Sequence, residues 1–318
     1  MPQDRSPATS TTVRVEVVKR RFVATDVVEL TLRSMVDKLP EWDPGAHIDV
    51  RVPGDRVRQY SLCGDPTERE VYRIAVLREA QGQGGSVHLH DNVPEGSALD
   101  ISSPRNHFQL VHAERYVFIA GGIGITPLLP MVRAVTARGA QWTLHYCGRT
   151  ASSMAYTQDL VPNPRVRITC SDNGERIDIE RVLGSPEPGT AIYCCGPERL
   201  LDAVEDAARP WPADAVHAER FKPKDIDLPA NPFEVELRRT GTELRIPAER
   251  ALIDVLEGAG IVVPASCRVG TCGTCETMVL EGTPEHRDSV LTPTEQDAGD
   301  CMMVCVSRSR SSRLVLDL

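Results

Sequence analysis

The sequence predicts a multidomain α+β protein in which an antiparallel β-barrel is followed by an α/β parallel sheet and then by a small C-terminal sheet of the β-grasp kind. Three observations predict it. Residues 13–77 hold short β-branched runs divided by turn dipeptides such as Pro44-Gly45 and Pro53-Gly54, with almost no helix between them, as an antiparallel barrel requires. Beyond residue 112 strand-like and helix-like runs alternate, the mark of a parallel sheet. Beyond residue 232 come a hairpin, one amphipathic helix and further short strands. A chain of 318 residues is too long for one ordinary core and suits two or three domains of roughly 100 residues. The expected divisions are a frayed, polar N-terminus (1–12), the barrel (13–112), the parallel-sheet domain (113–221), a linker stiffened by prolines (222–232) and the C-terminal domain (233–318).

In the barrel, strands are expected at 13–18, 27–32, 47–52, 57–62 and 71–77, with one helix at 85–91. The parallel sheet should use strands 116–120, 141–147, 165–170 and 191–195, with helices at 126–138, 155–160, 179–183 and 197–208. The last domain should pair 233–239 with 243–247 around Thr240-Gly241-Thr242, place a helix at 251–259, and add strands at 276–280, 302–306 and 313–318.

Composition narrows the class. Hydrophobic residues at 41% and charged residues at 25% are those of a soluble globular protein, and a net charge of −9 argues against a nucleic-acid partner. Residues 230–318 carry nine Arg, no Lys and fourteen Asp plus Glu, which fits either a solvated surface or steering towards a basic partner. No charged-then-apolar leader opens the sequence, so its ten cysteines are expected to be thiols in a reducing, cytoplasmic setting rather than disulfides. The apolar run 116–132 imitates a membrane span, but three glycines and two prolines break it, and a strand, tight loop and helix account for it better.

Four stretches can carry chemistry. In Arg58-Gln59-Tyr60-Ser61-Leu62, strand alternation sends Arg58 and Tyr60 to one face, where a guanidinium can fork a phosphate and a phenol can stack on a flat ring. A mixed surface strand is the alternative. Gly82-Gln83-Gly84-Gly85-Ser86 precedes a helix, where backbone amides and the Ser86 hydroxyl can receive an anion. Gly121-Gly122-Ile123-Gly124-Ile125-Thr126-Pro127 follows a strand and opens a helix, the place where an α/β sheet receives a pyrophosphate, although Pro127 stands where the common dinucleotide motif has its third glycine. Cys195-Gly196-Pro197 repeats that arrangement at a later strand end, where Cys195 can approach a nicotinamide ring or simply fill a buried strand. Asp172, after the strand ending at Cys170, can accept from ribose hydroxyls and disfavour a 2′-phosphate, or serve as an ordinary turn residue; Arg149 pulls the other way.

The narrowest signal is in the cysteines. Cys267, Cys272 and Cys275 stand at C-x4-C-x2-C and Cys305 follows after 29 residues, the plant-type spacing for a two-iron, two-sulfur cluster. Gly270, Thr271, Gly273 and Thr274 supply the small residues that let backbone amides turn towards sulfur. Zinc is the alternative for four thiolates, but zinc sites usually pair two C-x2-C knuckles, whereas Cys305 stands alone in an apolar run.

Arg58-Gln59-Tyr60-Ser61-Leu62, Gly84-Gly85-Ser86, Ser103-Pro104-Arg105-Asn106-His107-Phe108, the Gly121 loop, Cys194-Cys195-Gly196-Pro197 and the cysteine motif occur in an order that resembles the phthalate dioxygenase reductase and vanillate demethylase reductase family. The resemblance covers the chain after its first dozen residues. It implies an FMN-binding barrel, an NADH domain and a C-terminal ferredoxin domain, with FMN favoured over FAD by the segment containing Arg105 and Asn106. Arg58, Gly84, Gly85 and Ser86 would hold the FMN phosphate, Tyr60 and Ser61 the isoalloxazine. Gly122, Gly124 and Thr126 would hold the NADH pyrophosphate, with Gly196, Pro197 and Cys195 beside the nicotinamide. Phe221, in His217-Ala218-Glu219-Arg220-Phe221, would lie near both rings or pack at the domain boundary; His286-Arg287-Asp288 resembles a structural segment of ferredoxin modules. NADH gives two electrons at once and the cluster takes one, and a flavin reconciles the two counts without a catalytic acid or base. The implied acceptor is a separate Rieske-type non-haem iron oxygenase, with a cytochrome P450 as the alternative and an iron-sulfur sensor or carrier as a reading of another class. A monomer is expected.

Overall fold

The computed structural model describes residues 12–36, 38–54, 56–223 and 228–318. The expected frayed terminus up to residue 11 and the middle of the expected linker lie outside the described residues. The chain divides into two compact units, 11–220 and 221–318.

The first unit contains two sheets. One has six antiparallel strands: β1 (Thr12–Ala24), β2 (Val27–Ser34), β3 (His47–Val52), β4 (Arg56–Ser61), β5 (Val71–Leu77) and β6 (Ala98–Ser102), in the order β4-β3-β6-β1-β2-β5. The period-two pattern of β1 and β2 puts Val15, Val17, Leu30 and Leu32 into a core with Ile48, Val50 and Ile74. Among the described residues its two edges meet at the bridge between Leu62 and Ile74, backed by Cys63 N–H to Arg73 O at 2.9 Å. The sheet is therefore curled and pinned; among the described residues no full ladder closes it into the expected barrel. The helix α1 (Gly85–Asp91) lies where the sequence predicts it.

The other sheet has five parallel strands, β7 (Arg115–Gly121), β8 (Gln141–Gly148), β9 (Val166–Cys170), β10 (Thr190–Cys195) and β11 (Val216–Glu219), in the order β11-β10-β7-β8-β9. Four helices interleave: α2 (Ile125–Ala137), α3 (Thr157–Leu160), α4 (Ile179–Leu183) and α5 (Glu198–Ala207). Both faces are covered, one by a core containing Phe118, Leu128 and Leu144, the other by one containing Ile119, Ile192, Leu201 and Val204. After β7 the chain winds to one side through β8 and β9, then crosses back to β10. The carboxyl ends of β7 and β10 therefore flank a topological switch point, where open α/β sheets receive ligands.

The second unit is a mixed sheet of β12 (Phe233–Leu237), β13 (Thr242–Ile246), β14 (Glu276–Glu281), β16 (Cys301–Met303) and β18 (Arg313–Leu316) in the order β13-β12-β18-β14-β16. The short ladder of β15 (Pro284–Glu285) with β17 (Arg308–Ser309) and the helices α6 (Leu252–Gly258) and α7 (Pro293–Ala298) complete it. Cys305 lies in the turn after β16 and not in the strand expected at 302–306, because Val306 N–H and Ser307 N–H both bond back to Met303 O. The chain reverses there, which brings Cys305 towards the other thiols.

Candidate functional site

On the antiparallel sheet, β4 places Arg58 and Tyr60 side by side as alternation requires. The Arg58 stem lies over Gly85, where an added Cβ would come within 2.8 Å of Arg58 Cγ, so only glycine permits the contact. Gly84 holds φ +83°, the left-handed turn that starts α1. Arg58 donates to Val57 O at 2.7 Å and to the Gln83 side-chain oxygen at 2.6 Å, and Arg56 donates to Gln83 O. Both guanidiniums are thus held by neutral oxygens, which leaves their charge for an anion. Sequence reasoning gives no role to Arg56, which flanks the strand motif, or to Gln83, which lies inside the glycine-rich one. Burial pushes the Tyr60 phenol up against the opposing pull of Arg58. Ser61 is buried behind Tyr60, while the Ser86 hydroxyl accepts from Glu79 N–H at 3.1 Å and so fastens the glycine-rich turn.

Arg105 and Asn106, expected as cofactor contacts, have partners within the protein. Arg105 pairs with Asp49 at 2.6 Å and donates to Ser102 Oγ at 3.2 Å; Asn106 donates to Pro44 O at 3.0 Å and accepts from Phe108 N–H at 3.0 Å. Their side chains tie the 103–108 segment to β3 and the turn before it.

At the switch point the two glycine loops interlock. A Cβ on Gly124 would lie 2.2 Å from Cys195 O, one on Gly121 2.5 Å from Pro197 Cδ, and one on Gly196 2.9 Å from Gly121 Cα. Gly122 takes φ +54° with open space beside it, and Tyr146 Oη donates to Gly122 O at 3.0 Å. The result is a bare backbone shelf at the head of α2, where backbone amides can face an anion. Thr126 is not part of that shelf's open face: it is buried and its hydroxyl bonds Ile123 O at 2.9 Å. Asp172 is exposed in the turn after β9, its N–H bonded to Arg149 O at 3.0 Å, so the two groups of opposite charge sit on adjoining loops.

Cys195 is fully buried, its Sγ 4.0 Å from Glu219 Oε2, because β10 and β11 run in register with Cys195 opposite Glu219. Burial and then the Glu219 charge hold that thiol well above the ordinary range, and burial pushes the Glu219 carboxyl up to about 8. Glu219 is a third residue the sequence does not single out, hidden in a strand too short and polar to predict. Its contribution to stability is intact below the ordinary carboxylate value and is lost as pH rises through about 8. The melting temperature of the wild-type protein is therefore expected to fall between about pH 5 and about pH 8, and Glu219→Gln to flatten that slope. An identical slope in the variant would remove Glu219 as its cause. Phe221 opens the second unit and is 43% exposed, so it is not a packing residue there.

In the second unit the loop 267–275 folds around sulfur. Val269 N–H and Thr271 N–H both reach Cys267 Sγ at 3.4 Å, Cys267 N–H reaches Cys272 Sγ at 3.5 Å, and Thr274 Oγ1 lies 3.2 Å from Cys272 Sγ. Arg268, Gly270 and Gly273 all take positive φ, which turns successive amides inward. Arg268 is a costly residue at φ +57°, held by ion pairs to Asp254 at 3.0 Å and to Glu257 on α6. The thiols form a chain of contacts, Cys272 to Cys267 to Cys305 to Cys275. Among the described residues no group of three or more His, Cys, Asp or Glu is set around a single metal ion. Backbone amides aimed at sulfur beside four cysteines suit an iron-sulfur cluster.

Comparison with known proteins agrees. Residues 235–310 match the family described as a 2Fe-2S iron-sulfur cluster binding domain. The chain is 43% identical to the phthalate 4,5-dioxygenase oxygenase reductase subunit of Pseudomonas putida over 288 residues, 88% of each chain. It is similar to the solved phthalate dioxygenase reductase, described as a modular structure for electron transfer from pyridine nucleotides to 2Fe-2S, with TM-score 0.70 and 39% identity over 96% of this chain and 98% of that one. It is also similar to an intact type IV self-sufficient cytochrome P450 monooxygenase, with TM-score 0.91 and 40% identity over 96% of this chain; it spans 41% of that longer chain. By these matches the chain belongs to the phthalate dioxygenase reductase family.

Proposed function

We propose that the chain is an NADH-dependent oxidoreductase, the reductase component of an oxygenase system, in which electrons pass from NADH through FMN and a 2Fe-2S cluster to a separate terminal oxygenase. The observation that carries this reading is the pairing, in one chain, of sulfur-directed amides around four thiols with a glycine shelf at a parallel-sheet switch point. NADH supplies a hydride, the cluster accepts single electrons, and the flavin is the group that handles both. Arg58 with Arg56 would take the FMN phosphate against Gly84 and Gly85, and Tyr60 and Ser61 the isoalloxazine edge. Gly122 and Gly124 would take the NADH pyrophosphate, Gly196 and Pro197 the nicotinamide end beside Cys195, and Asp172 the adenosine ribose. Cys267, Cys272, Cys275 and Cys305 would ligate the irons. The first unit would divide near residue 112 into a flavin part and a nucleotide part, with Arg105 and Asn106 bracing the seam. No helix among the described residues is long and apolar enough to cross a membrane; we read the chain as a cytoplasmic monomer whose six cysteines outside the cluster motif are reduced thiols.

A Rieske-type oxygenase is the favoured partner, because the P. putida relative is by name a dioxygenase reductase subunit. A cytochrome P450 is the second reading, favoured by the fused P450 chain that this fold matches at TM-score 0.91. Anaerobic titration of the holoprotein with NADH, followed by visible absorbance and low-temperature EPR, tests the path. Flavin bleaching together with a reduced two-iron signal is expected. Absence of both would return the chain to the sensor or carrier class. Turnover with a purified Rieske oxygenase or with a P450 then separates the partners.

A further inference from the structure

The segment between β15 and α7 touches both stretches that carry the motif cysteines. Ser289 N–H donates to Gly270 O at 2.8 Å, and a Cβ on Gly270, which stands between Cys267 and Cys272, would lie 3.0 Å from Asp288 Cα. On the other side is Ser307, two residues past Cys305 and 1% exposed. It donates its hydroxyl to Asp288 Oδ1 at 3.4 Å and accepts Arg287 N–H at 3.2 Å. Asp288 itself is 2% exposed, and its Oδ2 accepts Val290 N–H at 3.0 Å and Leu291 N–H at 2.8 Å. Both oxygens accept and neither donates, so the side chain is bonded as a carboxylate.

That buried charge has no strong cation beside it. Among the described residues no arginine or lysine comes within ion-pair distance of Asp288. Arg287, next in sequence, pairs with Glu285, and Arg308, next to Ser307, donates to the carbonyls of Asn231, Pro247 and Arg250 at 2.8 to 2.9 Å. His286 faces the carboxylate, with Nδ1 3.8 Å from Asp288 Oδ1, and neither of its ring nitrogens has a hydrogen-bond partner among the described residues. A charge buried without a counter-ion is costly. An amide of the same shape would accept the same two N–H bonds through its oxygen and meet Ser307 through its nitrogen. Hydrogen bonding and packing therefore account for the shape of this side chain and not for its charge. A charge, unlike a contact, acts on the neighbouring loop as well, and a buried one is little screened.

We propose that Asp288 tunes the iron-sulfur site: its negative charge, seated between the cysteine loop and the turn after Cys305, makes the bound cluster harder to reduce. This rests on the reading of the four cysteines as ligands of a 2Fe-2S cluster. Reduction brings in one electron from the flavin and adds one negative charge to the site. Asp288 opposes that added charge and itself takes up neither electron nor proton. A cluster that is harder to reduce is, once reduced, a stronger donor to the acceptor that follows. Two unit charges about 10 Å apart at an effective dielectric of about 20 shift an equilibrium by roughly tenfold.

The test is potentiometry of the purified holoprotein, poised with dithionite and mediators and read by low-temperature EPR. Asp288→Asn should favour the reduced cluster about tenfold, a rise of about 59 mV for a one-electron couple. Iron content and amide exchange at Val290 and Leu291 should stay native, whereas a merely structural role would move exchange and leave the potential in place. The rise is expected in the native chain and again with His286→Gln, where no imidazole can carry an offsetting charge. An unmoved potential in that second background overturns the proposal. Should Asp288→Asn lose its iron, Asp288→Glu decides: iron retained at a near-native potential supports the charge, and iron lost there too overturns it in favour of shape. A wild-type protein without a reducible two-iron signal overturns the ligand reading, and this proposal with it. A wild-type signal beside an unmoved potential in the variants overturns this proposal alone.

Discussion

Gly124→Ala is expected to abolish NADH-driven reduction and to destabilise the first unit by about 3 kcal/mol, at the upper end of overpacking costs. The added Cβ would lie 2.2 Å from Cys195 O, 2.4 Å from Cys195 C and 2.7 Å from Gly196 N. All three are backbone atoms at a strand end, so no side-chain rotation can relieve the overlap. The loop after β7 would have to lift from the end of β10, and the shelf proposed to receive the pyrophosphate would open. Gly122→Ala is the control. Its Cβ meets nothing within 4 Å, and it carries only the strain of a left-handed residue at φ +54°, about 1 kcal/mol. Thermal denaturation and NADH titration of both variants give the answer. Equal losses in the two would mean that the interlocking of the loops is not what the shelf depends on.

Regular, strongly patterned segments are the legible part of this chain. Residues 47–52, 71–77, 85–91 and 179–183 form the predicted strands and helices at the predicted bounds. β6, β11, β15 and β17 are not predicted and β1 only over 13–18, and β1 and β11 show the physical reasons. β1 runs on to Ala24 through Lys19-Arg20-Arg21-Phe22, where bulges between Val17 and Lys19 and between Phe22 and Ala24 break the alternation that a sequence can reveal. β11 has only Val216–Glu219, all half-buried, and is a strand because β10 lies beside it in register. The same division holds for the site. Glycines and cysteines announce themselves by type and spacing. Glu219 and Gln83 do not, since each matters through what tertiary structure sets against it, Cys195 in one case and Arg58 in the other. Thr126, Arg105 and Asn106 stand in suggestive motifs, yet their polar atoms are turned to the protein's own backbone and side chains.

In Cys272→Ser, iron content and the visible absorbance of the cluster are expected to fall to background while NADH bleaches the flavin at the wild-type rate. Cys272 is 1% exposed, and its sulfur receives Cys267 N–H at 3.5 Å and sits 3.2 Å from Thr274 Oγ1. Those distances are set for sulfur: a serine oxygen is smaller and harder, a poor match for iron-sulfur chemistry, and the loop cannot close on it. The strained φ of +57° at Arg268 and the tight seat of Gly270, where a Cβ would come 2.7 Å from Val306 Cγ2, leave the loop little room to follow. Cys301 supplies the contrast. It is as buried, at 2%, and lies four positions before Cys305, but it is on β16 opposite Met278, outside the chain of four thiols. Cys301→Ser should keep its iron. If instead Cys301→Ser loses the cluster and Cys272→Ser retains it, the ligand set is wrong, whatever the spacing of the motif. If both lose it, burial and not ligation decides the outcome, and the flavin rate in the Cys272 variant shows whether the first unit works independently of the second.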